Sequence, residues 1–276
     1  MNHQESTFQG TDGSALYYQY WQPDPDDHRA TLAIVHGIGE HSGRYTNYVN
    51  HFVPLGVAVH CFDQIGHGQS PGQQGYVQDW GNFRADIDHF LTTVRQQAPE
   101  KPLFLLGHSL GGLITLDYCL HSPQSLDGVI VTSPALKVDA PAVLVMVSKL
   151  LNNIWPTLPM SNRLDVNGIS HDTQIVEEYL ADPLTHDRLT PRLGLGILET
   201  VEWVQNHFSN LQAPILLAHG TADRLTIFEG TQTFFNKLVI EDKTFLSYEG
   251  GYHELHHDTE KDQFFTDVEQ WLMRHL

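Results

Sequence analysis

At 276 residues and 41% hydrophobic side chains, the chain can bury one large α/β core. Thirty-three acidic against 15 basic residues leave a net charge of -18, which repels nucleic acid and anionic lipid surfaces and excludes a polyanionic partner. The two cysteines, Cys61 and Cys119, sit in apolar stretches and make neither a disulfide framework nor a thiolate metal cage, as expected in a reducing compartment.

The opening MNHQESTFQGTDG has no basic segment followed by an apolar one, so a cytoplasmic location is expected. ALYYQYW (15 to 21) is the first strand and reads as part of an antiparallel edge, with PDPDD following as a turn. TLAIVHG (31 to 37), VAVHCFD (57 to 63), PLFLLGHS (102 to 109), GVIVTSP (128 to 134), PILLAHG (214 to 220) and KTFLSY (243 to 248) follow as short apolar runs. Helical spacing marks 44 to 56, 79 to 97, 110 to 122 and 258 to 276, the last with Phe264, Phe265, Val268, Trp271 and Leu272 on one face. This alternation predicts an α/β fold with a mostly parallel sheet flanked by helices.

The alternation breaks between about Ser133 and Ala213. With no repeat or flexible linker, residues 135 to 210 read as a helical cap inserted into a core formed by 1 to 134 and 211 to 276, all in one domain. AVLVMVSKLL (142 to 151) is the longest apolar run and too short to span a membrane. Pro141 would open this helix, and Ala142 to Val147 with Leu150 and Leu151 leave it almost no polar side. Such a helix either packs into the core or meets lipid, as a tunnel wall or at a membrane or micelle surface.

Two segments fit Gly-x-Ser-x-Gly, GHSLG around Ser109 and GQSPG around Ser70. A nucleophile elbow needs a strand before it and a helix after it, and only Ser109 has both, LFLLG before and LITLDYCL behind. The residue after the serine must also donate its backbone N–H to the oxyanion, which Leu110 can do and Pro71 cannot. In the chain order Ser, acid, His, the acid is Asp223 in HGTADR and the base His253 in EGGYHELHHD, each just past a strand, with His256 and His257 as rivals for the base. Ser109 would attack, His253 would relay the proton, and Asp223 would orient the imidazole.

HELHH (253 to 257) also matches the zinc pattern His-Glu-x-x-His, but Gly250-Gly251 before it reads as a loop and no third ligand is evident. In VHGIGEHSGRY (35 to 45), glycines after a strand would let backbone amides approach a reacting oxygen, which makes Ile38 the second oxyanion donor.

Taken in order, HGIGEHSGRY, DQIGHGQSPG, GHSLGG, HGTADR and GYHELHHD resemble the monoacylglycerol lipase and lysophospholipase group of α/β-hydrolases, over roughly residues 8 to 134 and 211 to 276. The resemblance implies the α/β-hydrolase fold and carboxylic ester hydrolysis on a lipid with one long acyl chain, without metal or organic cofactor. It implies Ser109, Asp223 and His253 as the triad, the Ile38 and Leu110 amides as the oxyanion hole, and GHGQSPG as a supporting loop beneath the site. Agreement fades in 135 to 205, where substrate choice should reside. Monoacylglycerol is the expected substrate, lysophospholipid or a short-chain ester the alternative, and a zinc hydrolase or a non-catalytic binding protein the remote ones. No obligate protein partner is expected, and cap contact is easier with neutral than with anionic lipid.

Overall fold

The computed structural model describes residues 1–121, 125–138 and 142–276, with only the backbone described for 142–145. Pro141, expected to open the apolar helix, lies outside the described residues, as does Ser122 at the end of the expected helix over 110 to 122.

Eight strands form one sheet: β1 (Asn2–Gln9), β2 (Ala15–Gln22), β3 (Ala30–Val35), β4 (Val57–Phe62), β5 (Leu103–His108), β6 (Gly128–Thr132), β9 (Ile215–Gly220) and β10 (Lys243–Tyr248). A two-residue pair, β7 (Met160–Ser161) with β8 (Arg188–Leu189), stands apart. The sheet order is β1-β2-β4-β3-β5-β6-β9-β10. All neighbours from β4 to β10 are parallel, and β2 is antiparallel to both β1 and β4. ALYYQYW thus belongs to an antiparallel edge as expected, and β1, which precedes it, is the outermost strand. Only Phe8 of its eight residues is buried, so β1 carries no apolar alternation to betray it.

Every residue of β3, β4, β5, β6 and β9 is buried, as a parallel sheet covered on both faces requires. The period of two sends alternate residues to opposite layers. Leu103 and Leu105 join one core with Phe83, Ile87 and Phe90 of α2 (Gly81–Gln97) and the apolar residues of α3 (Leu110–His121). Phe104 and Leu106 join the other with Tyr48 and Phe52 of α1 (Thr46–Phe52) and Phe264, Val268 and Trp271 of α8 (Lys261–Met273).

Between β6 and β9 the chain forms α4 (Ala142–Ile154), α5 (Thr173–Ala181) and α6 (Pro191–Asn206). The Asp172 side chain caps α5 by accepting from Gln174 N–H. Thr190 caps α6, whose first residue is Pro191. α6 buries Leu193 and Val204 in the α2/α3 layer, and α4 packs on α6. α4 leaves Met146, Val147, Leu150 and Ile154 exposed, so these side chains do not serve the core. α7 (Phe228–Lys237) follows β9. Among the described residues no helix is long and apolar enough to cross a membrane.

Candidate active site

β5 ends directly at Ser109, whose φ of 55° lies in the left-handed region that a serine seldom occupies. Such a backbone costs roughly 1–3 kcal/mol and persists only where its surroundings fix it. Here the Ser109 N–H donates to Thr132 O (3.0 Å), and its carbonyl accepts from Leu113 and Ala135 (3.1 and 3.2 Å). The turn closes because Gly111 has no side chain: a Cβ there would sit 2.2 Å from Val35 O and 2.3 Å from His36 O. Leu110 is the first residue of α3, where helical amides lack an intrahelical acceptor.

Ser70 occupies a different setting. Its hydroxyl donates to Asp63 O (2.5 Å) and accepts from Tyr17 N–H (2.9 Å), so it ties a turn to β2. Asp63 in turn accepts from Gln69 N–H and from Ser42 N–H at 2.7 Å each, which joins the GHGQSPG segment to the loop after β3.

Asp223 lies in the turn after β9 and His253 in the turn after β10, and His253 Nδ1 is 2.7 Å from Asp223 Oδ2. The carboxylate is held further: Oδ1 accepts the N–H groups of Leu225 and Thr226 (2.8 and 3.0 Å), and Oδ2 lies 2.8 Å from Thr226 Oγ1 and 3.1 Å from His219 Nε2. Burial alone would raise the Asp223 pKa, but the two histidines and their hydrogen bonds outweigh it and hold it well below the usual carboxylate range. Burial likewise opposes charge on His253, yet Asp223 above all, then Glu254 and Glu40, lift its pKa above the ordinary value. With Nδ1 engaged, Nε2 is the ring nitrogen open to an incoming hydroxyl proton.

Ser109, His253 and Ile38 line one cavity of about 430 Å³. The Gly37 N–H donates to Glu40 Oε1 (2.6 Å), which fixes the loop just before Ile38. Gly39 (φ 74°) packs against the segment after α5: a Cβ would come within 2.2 Å of His186 O, while its own carbonyl accepts from His186 N–H and Tyr179 OH (2.9 and 3.1 Å).

Sequence reasoning missed the charged layer beside this loop. Glu40 also accepts from Tyr45 OH (2.9 Å) and Arg44 Nε (3.3 Å), and Arg44 Nη2 reaches Glu254 Oε2 at 2.5 Å. Glu254 then accepts from His257 Nδ1 (2.8 Å). The letters E and R in HGIGEHSGR were visible, but their partner stands 210 positions away.

The HELHH stretch is a succession of turns, not a helix, so the zinc geometry expected of that pattern is absent from it. His253 is bound to Asp223 and His257 to Glu254. Glu254, His256 and His257 do present ligand atoms within 4.8 Å of one another. The Arg44 guanidinium already occupies Glu254, which opposes a second cation there. His256 is fully buried, against the rings of Tyr45, Tyr48 and His108, and makes no hydrogen bond to Asp223 among the contacts described.

A family model described as serine aminopeptidase, S33, matches residues 26–260. A monoacylglycerol lipase of Mycolicibacterium smegmatis is 31% identical over 99% of this chain and 98% of its own length. The monoglyceride lipase of Rattus norvegicus is 35% identical over 89% of this chain and 82% of its own. Among solved structures, a monoacylglycerol lipase of Paleococcus ferrophilus superposes with a TM-score of 0.85 at 35% identity, covering 95% of this chain and 99% of that one. The chain belongs to the serine aminopeptidase S33 family of α/β-hydrolases, alongside these lipases.

Proposed function

We propose that the protein is a serine ester hydrolase that cleaves monoacylglycerol, with Ser109, His253 and Asp223 as its triad. The reading rests on one observation above all: a serine held at φ 55° and a histidine hydrogen-bonded to a buried carboxylate line the same cavity. The lipase relatives support the substrate class.

His253 Nε2 takes the Ser109 proton as Oγ attacks the ester carbonyl, and Asp223 holds the tautomer and stabilises the imidazolium. The amides of Ile38 and Leu110 donate to the oxyanion, aided by the positive end of α3. Collapse passes the proton from His253 to the departing glycerol oxygen and leaves an acyl-serine. Water, deprotonated by the same imidazole, then releases the fatty acid. Leu164, Val166, Ile169, Leu180 and Leu225 give the cavity an apolar stretch for the chain of the acyl group.

Residues 135–210 act as the cap. The exposed Met146, Val147, Leu150, Ile154 and Trp155 give it an apolar face that docks transiently on a neutral lipid or micelle surface. The buried, unpaired Cys61 and Cys119 suit a cytoplasmic setting. A fluorophosphonate probe tests the reaction class: labelling at Ser109, lost in Ser109→Ala and unaffected by chelator, is the expected result, and chelator-sensitive activity without labelling overturns it. A panel of monoacylglycerols and lysophosphatidylcholines of several chain lengths tests the substrate. Cleavage confined to acyl chains of a few carbons, or faster on the lysophospholipids, removes the assignment.

A further inference from the structure

The active-site cavity is lined by apolar and polar side chains together. Ile169 stands directly against the charged group, its carbonyl accepting from Glu254 N–H (2.8 Å). Glu40 and Glu254 meet at Arg44: its guanidinium bonds both and lies 4.7 Å from the Tyr179 ring centroid.

The charged part of this lining has a definite sign. Glu40, Asp182, Asp187 and Glu254 line the cavity, and no lysine or arginine does so among the described residues. Arg44 is absent from this lining, committed to two carboxylates, with its side chain 9% exposed. Glu40 and Glu254 are both buried, and the Arg44 guanidinium bonded to both favours their ionised form against the effect of burial. The cluster of Glu40, Arg44 and Glu254 therefore sets two carboxylates against one guanidinium. His108 and His186, also in the lining, are pushed down to about 4, mainly by burial, and add no positive charge at neutral pH. At the rim, Arg188 offsets Asp187 only as an exposed pair at 3.5 Å.

We propose that this wall selects the ester by the charge of its alcohol: uncharged or cationic alcohols enter, alcohols bearing a phosphate are refused, and Glu254 is the residue that sets the choice. The proposal rests on the ester-hydrolase reading and adds a specificity determinant to it. A phosphate would stand beside two buried carboxylates with no lysine or arginine in the described lining to meet it, an arrangement of like charges that specific sites use to reject ligands. Because these carboxylates are buried, added salt does not erase the discrimination.

The test uses three soluble esters with one acyl chain: hexanoylcholine, 1-hexanoylglycerol and 1-hexanoylglycerol 3-phosphate. With the wild-type protein, kcat/KM should fall by about 30-fold or more from the glycerol ester to its phosphate, and the choline ester should match or exceed the glycerol ester. In Glu254→Gln, which keeps shape and removes charge, the glycerol-to-phosphate ratio should narrow about tenfold, whatever happens to the absolute rates. Should that variant not fold, the wild-type series alone decides. Comparable efficiency on all three esters overturns the proposal and leaves the ester-hydrolase reading standing. Hydrolysis of none of them, with Ser109 still labelled by fluorophosphonate, overturns the proposal and the ester substrate together. An unchanged ratio in folded Glu254→Gln removes Glu254 from the role.

Discussion

Replacing Glu40 by alanine tests how the loop after β3 is held. The side chain is 4% exposed and satisfies three donors: Gly37 N–H, Tyr45 OH and Arg44 Nε. Arg44 retains Glu254, but the Gly37 amide and the buried Tyr45 hydroxyl lose their acceptor, each at about 1–3 kcal/mol. Adding the lost charge pair, Glu40→Ala should lower unfolding free energy by about 3–5 kcal/mol, against about 5–15 kcal/mol for a whole domain. Because the Gly37 amide fixes the loop that presents Ile38, kcat should fall as well, by at most the 10²–10³-fold that loss of an oxyanion donor brings, roughly. Glu40→Gln keeps an acceptor for Gly37 and should lose about half as much stability. Urea unfolding followed by circular dichroism, with rates on monoacylglycerol, measures both. A Glu40→Ala protein within about 1 kcal/mol of wild type, turning over within about threefold of it, would refute the account of the loop.

Asp223→Asn should leave the fold intact and lower kcat by about 10⁴-fold, because an amide no longer enforces the Nδ1–H tautomer of His253; a loss under about tenfold argues against the triad. The pH profile of kcat/KM reports His253 in the free enzyme. Its raised pKa keeps the imidazole protonated, and so unable to act as base, up to a pH above the ordinary histidine range, so the acid limb should lie above about 6.5. Since Glu254 contributes to that rise, Glu254→Gln should move the limb to lower pH, and a limb that stays or moves up contradicts the electrostatics. Gly111→Ala drives a Cβ into two backbone carbonyls that cannot swing aside, and should cost about 3 kcal/mol together with fluorophosphonate labelling; a normal melting temperature with full labelling would be inconsistent with the turn.

The parts of this molecule legible in its sequence are those whose physics is local. β3 and β5 are readable because a strand covered on both faces must be apolar throughout, and Ser109 is separable from Ser70 because Pro71 has no N–H to give. The Thr190-Pro191 start of α6 is a local signal of the same kind. β1 is not readable, since seven of its eight residues face solvent and its pairing is decided by backbone bonds to β2 that any side chain permits. Arg44 and Glu254 are invisible as a pair because neither neighbourhood carries a trace of the other.

That non-local layer connects how the site is held with what it accepts. A buried ion pair adds little net stability, because desolvating its charges offsets most of their attraction. Glu40, Arg44 and Glu254 hold the loop that carries Ile38 by bonds that alanine would break, yet a well-packed apolar trio could fix a loop at least as firmly. What an apolar trio could not do is keep a negative potential beside His253, where it raises the pKa of the imidazole and favours its charged form. The two functions separate experimentally. Neutralising Glu254 should change the pH limb and the headgroup ratio together, while Glu40→Gln, still bonded to Gly37, should shift both in the same direction and preserve the loop.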